Sequence, residues 1–277
     1  MLKVYWHCCR AIWRFQGYEP QPVTAKSFMR WIRQYTNDLD RGYLIQLLER
    51  VQFIGRAEMR TSLFNLNRRL MRRFQKEKIP TDHLIYLQIH DAGSSSPVVL
   101  NMLRNVTQLE HRNCRLIDGS NAKALNDTTN ELEYGAVIYV DDFLGTGSQF
   151  EDVRQFLAPY IVGNFPEFVL APAMSEEAIH LLGRLGVEPM TQFVHAKAGR
   201  PLHESSSVFD DQVQERLTEL CLDIDPMFGL GFGSLATMIV FYSGAPDTVP
   251  RILRGSSGQA PICGIFPGYG DLPTRNV

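Results

Sequence analysis

The chain has 277 residues, 44% hydrophobic and 21% charged, with a formal net charge of -2. Those proportions lie near globular averages and exclude a disordered, collagen-like or rod-like chain, and the length suffices for a sizeable core. The small net charge hides an imbalance: residues 1–80 carry 16 Lys+Arg against 6 Asp+Glu, and residues 81–277 carry 12 against 24.

The opening MLKVYWHCCRAIWRF places Lys3, Arg10 and Arg14 inside any apolar run, which argues against a signal peptide. No apolar stretch approaches the roughly 20 residues that span a bilayer, so no membrane partner is expected. The cysteines Cys8, Cys9, Cys114, Cys221 and Cys263 form no CxxC and are odd in number. That pattern fits reduced thiols and a cytoplasmic protein. Cys8 and Cys9 stand beside His7, but no second ligand pair follows at zinc spacing.

In chain order, Thr24 is placed to cap a helix carrying Phe28, Trp31, Ile32 and Tyr35. A second helix is predicted to carry Tyr43, Leu44, Leu47, Leu48 and Val51 and to end near Gly55. A third runs from about Arg56 to Lys76, with Met59, Leu63, Leu66, Leu70 and Phe74 on one face, and Pro80 closes the region. From residue 83 the period changes. Strands are expected at His83–His90, Arg115–Ile117, Tyr134–Asp141, Phe165–Ala173, Thr191–His195 and Ala236–Tyr242. Helices are expected between them at Pro97–Glu110, Ser148–Leu157, Ser175–Leu185 and Phe209–Leu220. The polar stretch Asp118–Glu133 reads as a surface loop. The alternation argues an α/β protein with a parallel, Rossmann-like sheet. The expected organisation is a basic helical region at 1–80, an α/β core at 81–245, and a C-terminal extension at 246–277 that packs on the core.

Ligands of such sheets sit at the carboxyl ends of strands, and two turns there carry chemistry. In the first, an apolar strand, Val137–Val140, ends in Asp141-Asp142, followed by Phe143-Leu144-Gly145-Thr146-Gly147-Ser148-Gln149 and a helix start. Adjacent carboxylates can accept hydrogen bonds from neighbouring sugar hydroxyls. Glycines let backbone N–H groups wrap an anion, and the helix N-terminus adds positive potential. Together they describe a holder for a ribose 5-phosphate. A nucleotide-hydrolase strand would need a GxxxxGK[ST] loop, yet no Gly-Lys pair occurs, and a dinucleotide fingerprint would want glycine where Phe150 stands. A plain helix cap needs neither the paired acids nor both glycines. The second turn, His90-Asp91-Ala92-Gly93-Ser94-Ser95-Ser96-Pro97, offers glycine and serines at a helix start with Pro at the first helical position. An ordinary serine-capped helix is its alternative reading.

The segment Val137–Gln149 resembles the ribose-phosphate signature of type I phosphoribosyltransferases: four apolar residues, two acids, two apolar residues, then a small-Thr-Gly-x-Thr loop. The resemblance implies a phosphoribosyltransferase-like core. By it, Asp141 and Asp142 would be the catalytic-site acids on the ribose hydroxyls of phosphoribosyl pyrophosphate (PRPP). Leu144, Gly145, Thr146, Gly147, Ser148 and Gln149 would cradle the 5-phosphate. Asp91, Ala92, Gly93, Ser94 and Ser95 would hold the pyrophosphate, with Asp91 reaching its magnesium ion through water. Gln149 departs from the family's usual hydroxyl residue, and Gly145 is smaller than the usual Ala, Ser or Thr. Lys123, in the stretch where the family has a mobile loop, would meet the departing pyrophosphate.

The end of the chain, with Gly229–Gly233, Ala236–Tyr242, Ser243–Pro250 and Phe266-Pro267, resembles phosphoribosyltransferase-like proteins of bacterial conflict and retron-type defence loci. This implies an effector acting at ribose C1 of PRPP or a nucleotide: a glycosyltransferase or a nucleotide glycosidic-bond hydrolase in antiviral defence. A weakly catalytic sensor of a phosphoribosyl ligand is the alternative. The +10 of residues 1–80, with Arg56, Arg60, Arg68, Arg69, Arg72 and Arg73 on the third helix, exceeds what dipole compensation needs. Its partner would be nucleic acid, a ribonucleoprotein, an acidic protein, or the acidic body of the same chain. Homo- or hetero-oligomerisation is left open by the sequence.

Overall fold

Local signals set the helices. Thr24 and Ser27 form a reciprocal capping box, and Asn37, Asn121, Ser175 and Asp210 each accept a first-turn backbone N–H. The computed structural model describes residues 2–89, 96–255 and 262–268. It opens with α1 (Leu2–Phe15), α2 (Ala25–Arg33), α3 (Asp38–Glu49), β1 (Gln52–Ile54) and α4 (Arg56–Glu77). There follow β2 (Leu84–Gln88), α5 (Ser96–Thr107), β3 (Arg115–Asp118), α6 (Ala122–Leu132), β4 (Ala136–Val140), β5 (Phe143–Leu144) and α7 (Ser148–Leu157). The remaining elements are β6 (Glu167–Leu170), β7 (Ala173–Ser175), α8 (Glu176–Arg184), β8 (Glu188–Met190), β9 (Phe193–His195), α9 (Asp211–Ile224), β10 (Ile239–Phe241) and α10 (Arg251–Arg254).

The chain folds as two compact units, Met1–Arg56 with His195–Val277, and Ala57–Val194. The second unit is built on a five-stranded parallel sheet of order β3-β2-β4-β6-β8. Its central strands β2 and β4 are almost wholly buried, which is why they read as unbroken apolar runs. The connection from β2 leads outward to β3, and the next crosses back to β4 on the other side of β2. The carboxyl ends of β2 and β4 are therefore a topological switch point, where a crevice opens in doubly wound sheets.

Beyond β4 and β6 the strands break and resume as β5 and β7, paired in parallel through Phe143↔Ala173 and Leu144↔Met174. The single strand expected over Phe165–Ala173 is thus two, interrupted at Ala171-Pro172, because proline supplies no N–H to a ladder. The expected loop over Asp118–Glu133 is largely α6: Asn121 caps it, and Leu125, Thr129 and Leu132 recur at helical spacing and are buried.

In the first unit α1, α2 and α3 share a core with α9, α10 and the segment around Phe266. Phe15, Trp31, Leu44, Leu217, Ile252 and Phe266 are each at most 1% exposed. Trp31 donates its indole N–H to the Ile252 carbonyl at 2.8 Å, and the Tyr18 hydroxyl donates to the Pro267 carbonyl at 2.6 Å. The second expected helix stops at Glu49. Gln52–Ile54 instead form β1, parallel to β10 through Phe53↔Val240. The strand expected over Ala236–Tyr242 therefore belongs to this small sheet and not to the large one. The two units divide at Arg56 and at Val194; in the second, α4 contributes Phe74, which packs edge-on to Phe168 of β6.

Candidate functional site

The Asp141–Ser148 turn leaves the carboxyl end of β4 at the switch point. Asp141 is 8% exposed; its Oδ1 accepts the Asp142 N–H at 2.9 Å, and its own N–H donates to the Leu170 carbonyl. The two acids thus occupy the break between the paired segments β4–β6 and β5–β7, held by ladder bonds on both sides. Leu144 is buried and in register with Met174, so its side chain serves the core and only its backbone faces the turn.

Gly147 caps α7 at φ +81°, a left-handed conformation that glycine takes without strain. A Cβ there would lie 2.7 Å from Leu181 Cδ2, so α8 packs against the bare glycine backbone. Gly147 supplies no side-chain acceptor to the first turn of α7. That leaves the Gln149 and Phe150 amides to an anion, reinforced by the helix dipole. Thr146 Oγ1 accepts the Ser148 N–H at 3.2 Å and lies 2.8 Å from Ser148 Oγ, which groups two hydroxyls at the same mouth. Gln149 is exposed, whereas Phe150 turns inward and meets Tyr139 edge-on at 5.1 Å. Below that contact, the Tyr139 hydroxyl donates to Glu167, which Arg154 holds through both carboxylate oxygens. Burial, and next the Glu167 charge, push the Tyr139 phenol well above its ordinary range, so it stays neutral and anchors α7 to the sheet.

Two supporting serines stand outside the expected ligand set. Ser96, fully buried, accepts the Ile89 N–H at 2.7 Å and donates to the Val140 carbonyl at 2.6 Å. It ties the carboxyl end of β2 to that of β4. Ser175 caps α8 by accepting the Ala178 N–H at 3.0 Å and donates to the Gly145 carbonyl, fixing the Gly145–Ser148 loop from behind. The signal for Ser175 was its place at a strand-to-helix junction before Glu176-Glu177; its partner 30 residues earlier is a tertiary fact. Asp91, Ala92, Gly93, Ser94 and Ser95, expected on the pyrophosphate, lie outside the described residues.

Arg200 is fully buried, donating to the His195 and Leu235 carbonyls. His195 accepts the Met238 N–H at 2.9 Å, a structural role. Lys123 lies in α6, in helix and not in a loop.

The PRTase-CE family matches residues 28–266, nearly the whole chain. This chain belongs to the PRTase-CE family. Membership makes it a phosphoribosyltransferase-like protein, with the Asp141–Gln149 turn inside the matched region. Among solved structures, that of orotate phosphoribosyltransferase from Aeropyrum pernix is similar over 58% of this chain and 76% of that one, at 16% identity and a TM-score of 0.28. No curated protein matches. No helix among the described residues is long and apolar enough to cross a membrane.

Proposed function

We propose that the turn at the end of β4 binds the ribose 5-phosphate of PRPP or of a nucleotide, and that the protein transfers or hydrolyses the group at ribose C1. The observation that carries this reading is the assembly of Asp141, Asp142 and the Gly145–Ser148 loop at the β2/β4 switch point of a PRTase-CE chain. Asp142, with its N–H donating to Asp141, and the buried Asp141 would accept from the ribose 2- and 3-hydroxyls. The backbone and hydroxyls of Thr146–Ser148 would hold the phosphate, so that the sugar is fixed while the C1 bond lengthens. The transition state would be oxocarbenium-like, and the chain's task is positioning and exclusion of water.

Magnesium fits this reading as a companion of the substrate. Among the described residues no three carboxylates, imidazoles or thiols converge, so the ion would draw oxygens from the pyrophosphate and water, with Asp91 as a water-bridged neighbour. Bound there, it would neutralise the leaving pyrophosphate. The resemblance to conflict-system proteins favours an effector that depletes or modifies nucleotides in antiviral defence within the cytoplasm. A sensor with weak catalysis is the second reading, favoured by the exposed Gln149 in place of a hydroxyl. In it, the exposed arginines of α4 would contact nucleic acid or a ribonucleoprotein.

Calorimetry with PRPP and Mg²⁺ tests the site. Binding by the wild type that is lost in Asp142→Asn is the expected result. Equal binding by both proteins removes Asp142 from the site, and no binding by either overturns the proposal. Nucleotide turnover in lysate then separates effector from sensor.

A further inference from the structure

A second cleft lies at the other end of the large sheet. It has a volume of about 530 Å³ and is lined by α4, by the 79–81 segment that enters β2, and by Thr107 and Arg112 at the connection from α5 to β3. These are the amino ends of the strands, so a strand length, about 17 Å, separates the cleft from the Asp141–Ser148 turn. The volume falls in the range of about 300–1,000 Å³ that small-molecule sites occupy.

Its walls follow from local structure. Phe64, Arg68 and Arg72 succeed one another at four-residue spacing and lie along one ridge of α4, with Met71 beside them. At the end of α4, Lys78 takes φ +60°, and the Ile79 N–H returns to the Phe74 carbonyl at 2.9 Å. This helix-ending turn folds Ile79 and Pro80 back as the apolar far wall. Arg112 closes the third side, its Nε donating to the Thr107 carbonyl at 3.3 Å.

The chemistry of the lining is one-sided. Arg68, Arg72 and Arg112 all face this cleft, none of its lining residues is acidic, and among the described residues no carboxylate pairs with any of the three. The neighbouring Arg73, by contrast, is engaged by Glu77 and Glu188. Phe64 is 43% exposed beside these cations. Guanidinium groups hold phosphates with charge-assisted hydrogen bonds, and a planar base stacks on an exposed ring or a guanidinium plane. We propose that this cleft binds a nucleoside monophosphate, its phosphate between Arg68, Arg72 and Arg112 and its base against Phe64, Met71 and Ile79. It is a ligand site separate from the turn after β4, at the opposite end of the same sheet.

The test is calorimetry with adenosine 5′-monophosphate on the full chain carrying Asp142→Asn, so that failure here and failure of the ribose-phosphate reading are distinct results. Binding is expected to persist in that variant, to weaken at least tenfold on adding Arg68→Ala or Arg72→Ala, and to weaken about fivefold on adding Phe64→Ala. The three substituted side chains are exposed or at the cleft rim, and unchanged far-ultraviolet circular dichroism checks that each variant folds. Affinity indifferent to both arginine substitutions overturns the site. Absence of binding at millimolar nucleotide overturns it too. Binding of a single-stranded decathymidylate but not of the mononucleotide would replace it with a nucleic-acid track along α4.

Discussion

Replacing Gly147 by alanine tests the geometry of the turn after β4 without removing any polar group. Two costs arise. The left-handed φ of +81° at this position costs an L-residue about 1–2 kcal/mol. The new methyl would also sit 2.7 Å from Leu181 Cδ2. Because Leu181 is only 6% exposed, it must shift within a packed core, adding about 1 kcal/mol. The sum of about 2–3 kcal/mol corresponds to a fall in Tm of about 5–10 °C for a chain of this size. The two parts separate in a double-mutant cycle. In a Leu181→Ala background the methyl has room, so Gly147→Ala should cost only the conformational part, about 1–2 kcal/mol, leaving a coupling near 1 kcal/mol. Urea unfolding followed by circular dichroism measures all four corners. A neutral Gly147→Ala would refute the left-handed cap, and a cost identical in both backgrounds would refute the close packing of α8 on the glycine.

Ser96→Ala should destabilise by about 1–3 kcal/mol, since the Ile89 N–H and the Val140 carbonyl both lose a buried partner. Ser148→Ala, at an exposed hydroxyl, should stay within about 0.5 kcal/mol of wild type in the same urea assay. In the other unit, Arg216 donates to both oxygens of the buried Asp40 at 2.9 Å. That guanidinium hydrogen bond, working against burial, holds the Asp40 carboxyl below its ordinary range. The pair's contribution is therefore complete above about pH 4 and is lost as pH falls through the lowered folded-state value. Arg216→Ala should cost about 1–2 kcal/mol at pH 7, restrained by the partial exposure of Arg216. The difference from wild type should close in unfolding curves taken at progressively lower pH; a gap independent of pH would dissociate Asp40 from the effect.

Much of the site was legible because its devices are local. Paired acids after a buried strand, two glycines and a helix start are contiguous in Asp141–Ser148, and the structure assembles them at one strand end. Thr24 likewise marked the start of α2, and the glycine turn that of α7. Two features misled. A polar composition hid α6, whose buried face needs only Leu125, Thr129 and Leu132. The short β1 and β8, of three residues each, offer too few positions for a period-two pattern to register.

Residue order by itself determined the α/β class, the parallel sheet and the acid-and-glycine turn after β4, because burial on both faces, caps and glycine turns each leave a mark within a few neighbouring positions. The charge imbalance of the opening was equally visible, but its meaning depended on the fold. The arginine-rich α4 lies in the same unit as the large sheet, while buried residues from Cys8 to Val51 and from Leu202 to Phe266 build a core of their own. Only tertiary structure could decide that, since pairing β1 with β10, Trp31 with Ile252, or Asp40 with Arg216 joins residues more than 170 positions apart. No local pattern encodes a partner at that distance; the closure of complementary apolar surfaces selects it.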